Sequence, residues 1–210
     1  MAITKASAAA EQATPTSLTN YYLVCPLEEK MSRLVSFLIQ HKDEKVVVFF
    51  LTCACVEFFS GALQQVVPEM MTKQGEKDSK YYIEPLHGKL VQKRREKALE
   101  RFRSSSFGTL FCTDVAARGL DVTDIQWVVQ FDAPPDPSSF VHRVGRCARA
   151  GRTGQSLIMM SSKENAYIDF LKMKKVPLQP LGDDKFCVPP SEDDYSDDDD
   201  DKIEEDVTEE

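Results

Sequence analysis

The stretch HRVGRCARAGRTG, His142 to Gly154, sets arginines at every third position (Arg143, Arg146, Arg149, Arg152) with three glycines among them. A guanidinium stays charged at any physiological pH, and its planar fork matches two phosphate oxygens at once. No carboxylate lies within the stretch to neutralise it. A solvated helix face would also carry arginines at this spacing. However, Gly145 and Ala148 lie between them, and a helix-interior glycine costs about 1 kcal/mol relative to alanine. The small residues favour close approach of a ligand, and a phosphoryl group in transfer is what such cations stabilise.

Only half of a phosphate site is present. The sequence has no GxxxxGK[ST], and its nearest fragment, His87-Gly88-Lys89-Leu90, lacks both the loop and the hydroxyl. Nothing in the chain would cradle a triphosphate or hold magnesium. Cys53-Ala54-Cys55 is too short for structural zinc, which needs more ligands at wider spacing, so buried thiols and no metal are expected.

The elements that must position these residues alternate along the chain. Strands are expected at Tyr21–Val24, Val46–Leu51, Tyr81–Leu86, Thr109–Thr113, Trp127–Phe131 and Ser156–Met160. Helices are expected at Glu28–Gln40, Val56–Val67 and Val91–Arg103, then from Pro137 toward Cys147 with Asp136 as cap. A last helix to about Lys174 opens on a capping box of Ser161 and Glu164. Glu69–Lys80 reads as a polar surface loop. Apolar strands between amphipathic helices predict an α/β fold with a mostly parallel sheet and helices on both faces. Such sheets bind ligands beyond the carboxyl ends of their strands, where Thr52, His87, Gly88, the run Thr113 to Gly119 and Asp132 fall.

Charge divides the chain. Its formal net charge is -8, but thirteen acids against one lysine in Ser191–Glu210 give that tail -12, leaving +4 for the rest. A polyanionic partner is therefore compatible with the folded part. Residues 1–19 are expected to be a disordered leader or linker, 20–182 the folded domain and 183–210 an acidic disordered tail. The tail is either a solvated spacer or an imitation of a polyanionic ligand that occupies the basic face. Six cysteines with no CxxC pair read as reduced thiols of an intracellular protein. No apolar run approaches the roughly 18 residues that span a bilayer, so no membrane partner is expected.

LHGKLVQKRREKALERFR, TDVAARGLD and HRVGRCARAG, in this order and at these separations, resemble the motifs of the C-terminal RecA-like domain of DEAD-box RNA helicases. The resemblance covers about Asn20 to Val176 and implies a RecA-like three-layer domain. It further implies that a missing N-terminal RecA-like domain holds ATP and Mg2+, with this fragment inactive alone and the whole an ATP-dependent RNA helicase. By that resemblance Arg146 and Arg149 are arginine fingers, Asp121 and Gly119 contact the nucleotide, and His142 and Arg143 couple ATP to RNA. Thr52, His87, Gly88, Gln92, Arg95, Thr113, Arg118 and Gly119 would grip the RNA backbone. FLTCACVEFF and the FVHRVGRCARAG context look most like the branch acting on the large ribosomal subunit, which implies ribosomal RNA and a nuclear and nucleolar address; a monomer is expected.

The chain departs from the family pattern at Cys147-Ala148, where Thr-Gly is usual, and at Lys89-Leu90, where Asp-Arg is usual. Two local readings stay open: His142 as an ordinary helix histidine, and Asp114 and Asp121 flanking Arg118 as a surface ion pair. The alternative function is a stand-alone, non-catalytic RNA-binding or docking module.

Overall fold

The computed structural model describes residue 14 and residues 17–73, 81–117, 122, 124–147 and 153–182. The strands are β1 (Leu18–Val24), β2 (Lys45–Phe49), β3 (Ile83–Leu86), β4 (Gly108–Cys112), β5 (Trp127–Gln130), β6 (Gly154–Met160) and β7 (Gln179–Pro180). They form one sheet in the order β3-β4-β2-β5-β6-β1-β7. Every pairing is parallel, and Val46 of β2 sits between Thr109 of β4 and Trp127 of β5. The helices are α1 (Lys30–Gln40), α2 (Cys53–Lys73), α3 (Gln92–Ser104), α4 (Asp114–Ala117), α5 (Pro137–Val144) and α6 (Asn165–Met173).

Two apolar layers explain why the strands read as unbroken hydrophobic runs. Side chains alternate along a strand, so β2 sends Val46 and Val48 to one face and Val47 and Phe49 to the other. The first set packs under α1 and α2 with Leu34, Phe37, Leu38, Val56 and Val67. The second packs against Phe102 of α3, Phe140 and Val144 of α5, and Leu171 of α6. Each such fully buried side chain contributes roughly 1.5–3 kcal/mol. The fold class is as expected, a parallel sheet between two helical layers.

Several boundaries differ from the sequence reading. β1 begins at Leu18, paired with Gly154, and not at Tyr21, and Asn20 donates to the hydroxyl of buried Thr14. α2 runs through Pro68 to Lys73, so the first part of the expected Glu69–Lys80 loop is helical. Burial of Val67 and Met71 against the sheet offsets the proline's missing N–H, and residues 74–80 lie outside the described residues. α5 stops at Val144, short of Cys147, with Gly145 as its C-cap. α4 and β7 were not expected; they are too short to show a period. Gly108, which opens β4, holds φ 120, and any side chain there would collide with the Tyr82 ring.

Local signals do hold at two helix starts. The Asp136 carboxylate accepts from the backbone N of Ser139 at 2.9 Å with Pro137 following, and Ser161 with Glu164 closes the capping box ahead of α6.

Candidate functional site

The carboxyl ends of β3, β4, β2 and β5 lie side by side, and their loops are stitched together by backbone bonds. Thr113 N donates to Leu86 O, Phe50 N to Cys112 O, and Phe131 N to Phe49 O. The Asp132 carboxylate, just past β5, accepts from Leu51 N at 3.0 Å. All described candidate residues sit on this one edge, as expected for a parallel sheet.

Over β2, β4 and β5 the edge opens into a pocket of about 370 Å³ lined by Phe49, Asp114, Ala117, Ser139, His142, Arg143 and Arg146. Arg143 is the wall's foundation. Its guanidinium, 1% exposed, donates from Nε and Nη2 to the two Asp114 carboxylate oxygens at 2.7 and 2.8 Å. Its Nη1 reaches Gln130 Oε1 at 3.3 Å and Asp132 O at 2.8 Å, and the group lies 5.0 Å from the Phe49 ring centre. A buried cation is tolerable because it is both paired and hydrogen-bonded.

Asp114 is thus engaged by Arg143 of α5, and its reading as an ion-pair partner of Arg118 falls on a residue outside the described ones. The pairing also removes Arg143 from the arginines available to a ligand. Arg146, beyond the end of α5, stays half-buried on the pocket wall with Nε donating to His142 O at 3.2 Å, and His142 itself is exposed. Gly145 serves the backbone here, since a Cβ would lie 3.2 Å from Val141 O where the chain leaves the helix. Cys147 is buried, with its thiol against Val144 O and Gln155 O. Burial pushes that thiol up to about 12.

The other end of the edge lies over β3, β4 and β2. Thr52 is exposed and caps α2, its hydroxyl accepting from Cys55 N at 3.1 Å. Gly88 is exposed with open space at its Cα, and α3 begins four residues on with no side-chain cap over its amides. In its first turn Arg95 Nη1 donates to Gln92 Oε1 at 3.4 Å, and Gln92 Nε2 to Glu96 at 2.8 Å. His87 and Thr113 are buried, at 5% and 6% exposure, so their side chains face the protein. His87 Nε2 lies 2.7 Å from the Glu57 carboxylate of α2, a contact between residues 30 apart that the sequence does not reveal. Gln130, the other neighbour of Arg143, was also missed, since a lone glutamine in an apolar strand carries no local signal. Arg118, Gly119, Asp121 and Arg149 lie outside the described residues. Among the described residues no helix is long and apolar enough to cross a membrane.

Comparison with known proteins agrees with this geometry. Residues 29–151 match the helicase conserved C-terminal domain. The chain is 45% identical over 176 residues to human ATP-dependent RNA helicase DDX55, covering 83% of this chain and 27% of that protein. It is 45% identical over 174 residues to the Danio rerio protein of the same name, covering 82% and 27%. The chain thus spans about a quarter of the length of these relatives. Among solved structures it resembles the Escherichia coli DEAD-box protein SrmB bound to regulator of ribonuclease activity A. That likeness has a TM-score of 0.60 at 28% identity and covers 83% of this chain and 97% of the other. The sheet is accordingly RecA-like. With the described candidate residues on one edge of that sheet and residues 29–151 matched, the chain belongs to the helicase conserved C-terminal domain family, in its DEAD-box branch.

Proposed function

We propose that this chain is the second RecA-like domain of an ATP-dependent RNA helicase, supplying arginines to a nucleotide held by a preceding RecA-like domain and gripping RNA along its own sheet edge. The observation that carries this reading is the pocket lined by Arg146 and His142. Its one carboxylate among the described lining residues, Asp114, is already engaged by Arg143. A guanidinium and an imidazole on the wall of a pocket at the carboxyl edge of a parallel sheet suit a phosphate. ATP, when bound, supplies the phosphoanhydride whose hydrolysis drives the cycle. Arg146 and Arg149 are the fingers, and Asp121 and Gly119 touch the nucleotide. Mg2+ belongs to the preceding domain, because the chain has no phosphate loop.

His142 and Arg143 couple the two ends of the edge. Support for this role comes from Arg143, which ties α5 to Asp114 in α4, the residue after Thr113. RNA lies along Thr52, His87, Gly88, Gln92, Arg95, Thr113, Arg118 and Gly119. Open amides at the start of α3, the Arg95–Gln92 pair and the exposed Thr52 hydroxyl suit phosphate and ribose, giving grip without base readout. Buried His87 and Thr113 contribute through their backbone and by shaping the loops. The FLTCACVEFF stretch supports ribosomal RNA in pre-ribosomal particles as substrate, a nuclear and nucleolar site of work, and a monomer.

The test joins this chain to its preceding domain and follows RNA-stimulated ATP hydrolysis. Arg146→Ala and Arg149→Ala are each expected to lower turnover by about 10³-fold, with RNA affinity nearly unchanged. A loss below tenfold contradicts the finger role. Hydrolysis at ordinary enzymatic speed by this chain alone contradicts the half-site.

A further inference from the structure

We propose that Glu57 is a positioning residue for the RNA edge: by holding His87 it fixes the spacing between the loop after β2 and the loop after β3. This rests on the assignment of that edge to RNA. In the sheet β2 and β3 are not neighbours; β4 lies between them, so their ends stand roughly 10 Å apart with no backbone ladder joining them. The bond between Glu57 Oε2 and His87 Nε2, at 2.7 Å, crosses that gap. A carboxylate only accepts, so the ring donates from Nε2, and Nδ1 is left buried with no partner among the described residues. The histidine thus has one anchor.

What hangs on the anchor is the grip itself. Glu57 stands in the second turn of α2, the helix capped by Thr52. On the other side, His87 O accepts from Leu90 N to form the turn that exposes Gly88, and Val91 O then accepts from Arg94 N and Arg95 N to open α3. One rigid path therefore runs from Thr52 through Glu57 and His87 to Gly88, Gln92 and Arg95.

Two further observations favour a geometric role over a stabilising one. The Glu57 side chain is 56% exposed, and pairs involving such exposed carboxylates contribute little to stability. An acid beside an edge that grips phosphate also opposes binding through its charge, so its presence there requires an offsetting function.

The experiment measures binding of this chain to a fluorescein-labelled single-stranded uridine oligomer by anisotropy, beside thermal melting and amide hydrogen exchange. Glu57→Ala is expected to weaken binding by about tenfold and to speed exchange at Leu90 and Arg95, with the melting temperature barely moved. Glu57→Gln keeps an acceptor and restores binding. Arg95→Ala is the control for the RNA assignment. If Arg95→Ala weakens binding while Glu57→Ala leaves it unchanged or tighter, the positioning role is wrong and the RNA edge stands. A Glu57→Ala loss that merely tracks a fall in melting temperature also overturns the positioning role. If Arg95→Ala has no effect, or the wild-type chain does not bind, the RNA assignment fails and takes this proposal with it.

Discussion

Arg143 and Arg146 stand three residues apart in one motif, yet one guanidinium is buried in the protein and the other lines the pocket. Their difference lies in what faces them. Asp114, Gln130 and the Asp132 carbonyl surround Arg143, and Asp114 keeps about a third of its side chain exposed. That asymmetry sets the cost of each deletion. Asp114→Ala strands a buried cation and is expected to cost about 3 kcal/mol in urea unfolding. Arg143→Met leaves a carboxylate that can turn to water and is expected to cost less than half as much. If Arg143→Met proves the more damaging, the neutral contacts of Arg143 outweigh its charge pair. The sequence shows four arginines of equal standing, because nothing local distinguishes one that turns inward. The partner of Arg143 is 29 residues away on another element, and only packing brings them together. The edge on which Arg146, Gln92 and Arg95 sit was legible, since strand ends in a parallel sheet fix it.

Helix α5 shows which element boundaries a sequence can carry. Its start was legible because Asp136, Pro137 and the serines that follow form a local signal. The Ser138 hydroxyl, then the backbone N and hydroxyl of Ser139, bond to the ionised carboxylate and pull Asp136 from 3.8 to about 2. A carboxyl depressed in the folded chain stabilises fully above its ordinary value and loses that contribution as the pH falls through its folded value. Asparagine can cap but cannot titrate. The melting-temperature advantage of wild type over Asp136→Asn should therefore hold at pH 5 to 7 and shrink as the pH falls from about 4 toward 2. A gap that stays constant with pH would assign the cap to geometry alone. The end of α5 was misread because the three-residue spacing of the arginines continues past Gly145, whereas the backbone does not. α2 was cut short for the opposite reason: Pro68 is a local stop signal that burial of Val67 and Met71 overrides.

Over the whole molecule, charge follows a distribution that no single element sets. The chain carries -8, of which Ser191–Glu210 contributes -12 and the rest +4. Those last residues lie outside the described ones. A segment of that charge, tethered to the domain proposed to grip RNA, would repel the incoming polyanion or compete for the cations on the sheet edge. Either effect acts through a field screened within about 10 Å at 0.1 M salt and about 3 Å at 1 M. Deleting Ser191–Glu210 reverses the sign of the net charge. It should raise affinity for the uridine oligomer by roughly tenfold at 0.05 M potassium chloride, with the gain falling to near nothing by about 0.5 M. Unchanged affinity at low salt would make the tail a spacer whose charge never reaches the edge. A gain that survives high salt would mean that the tail obstructs the edge by contact, through apolar or shape-dependent packing that salt does not screen.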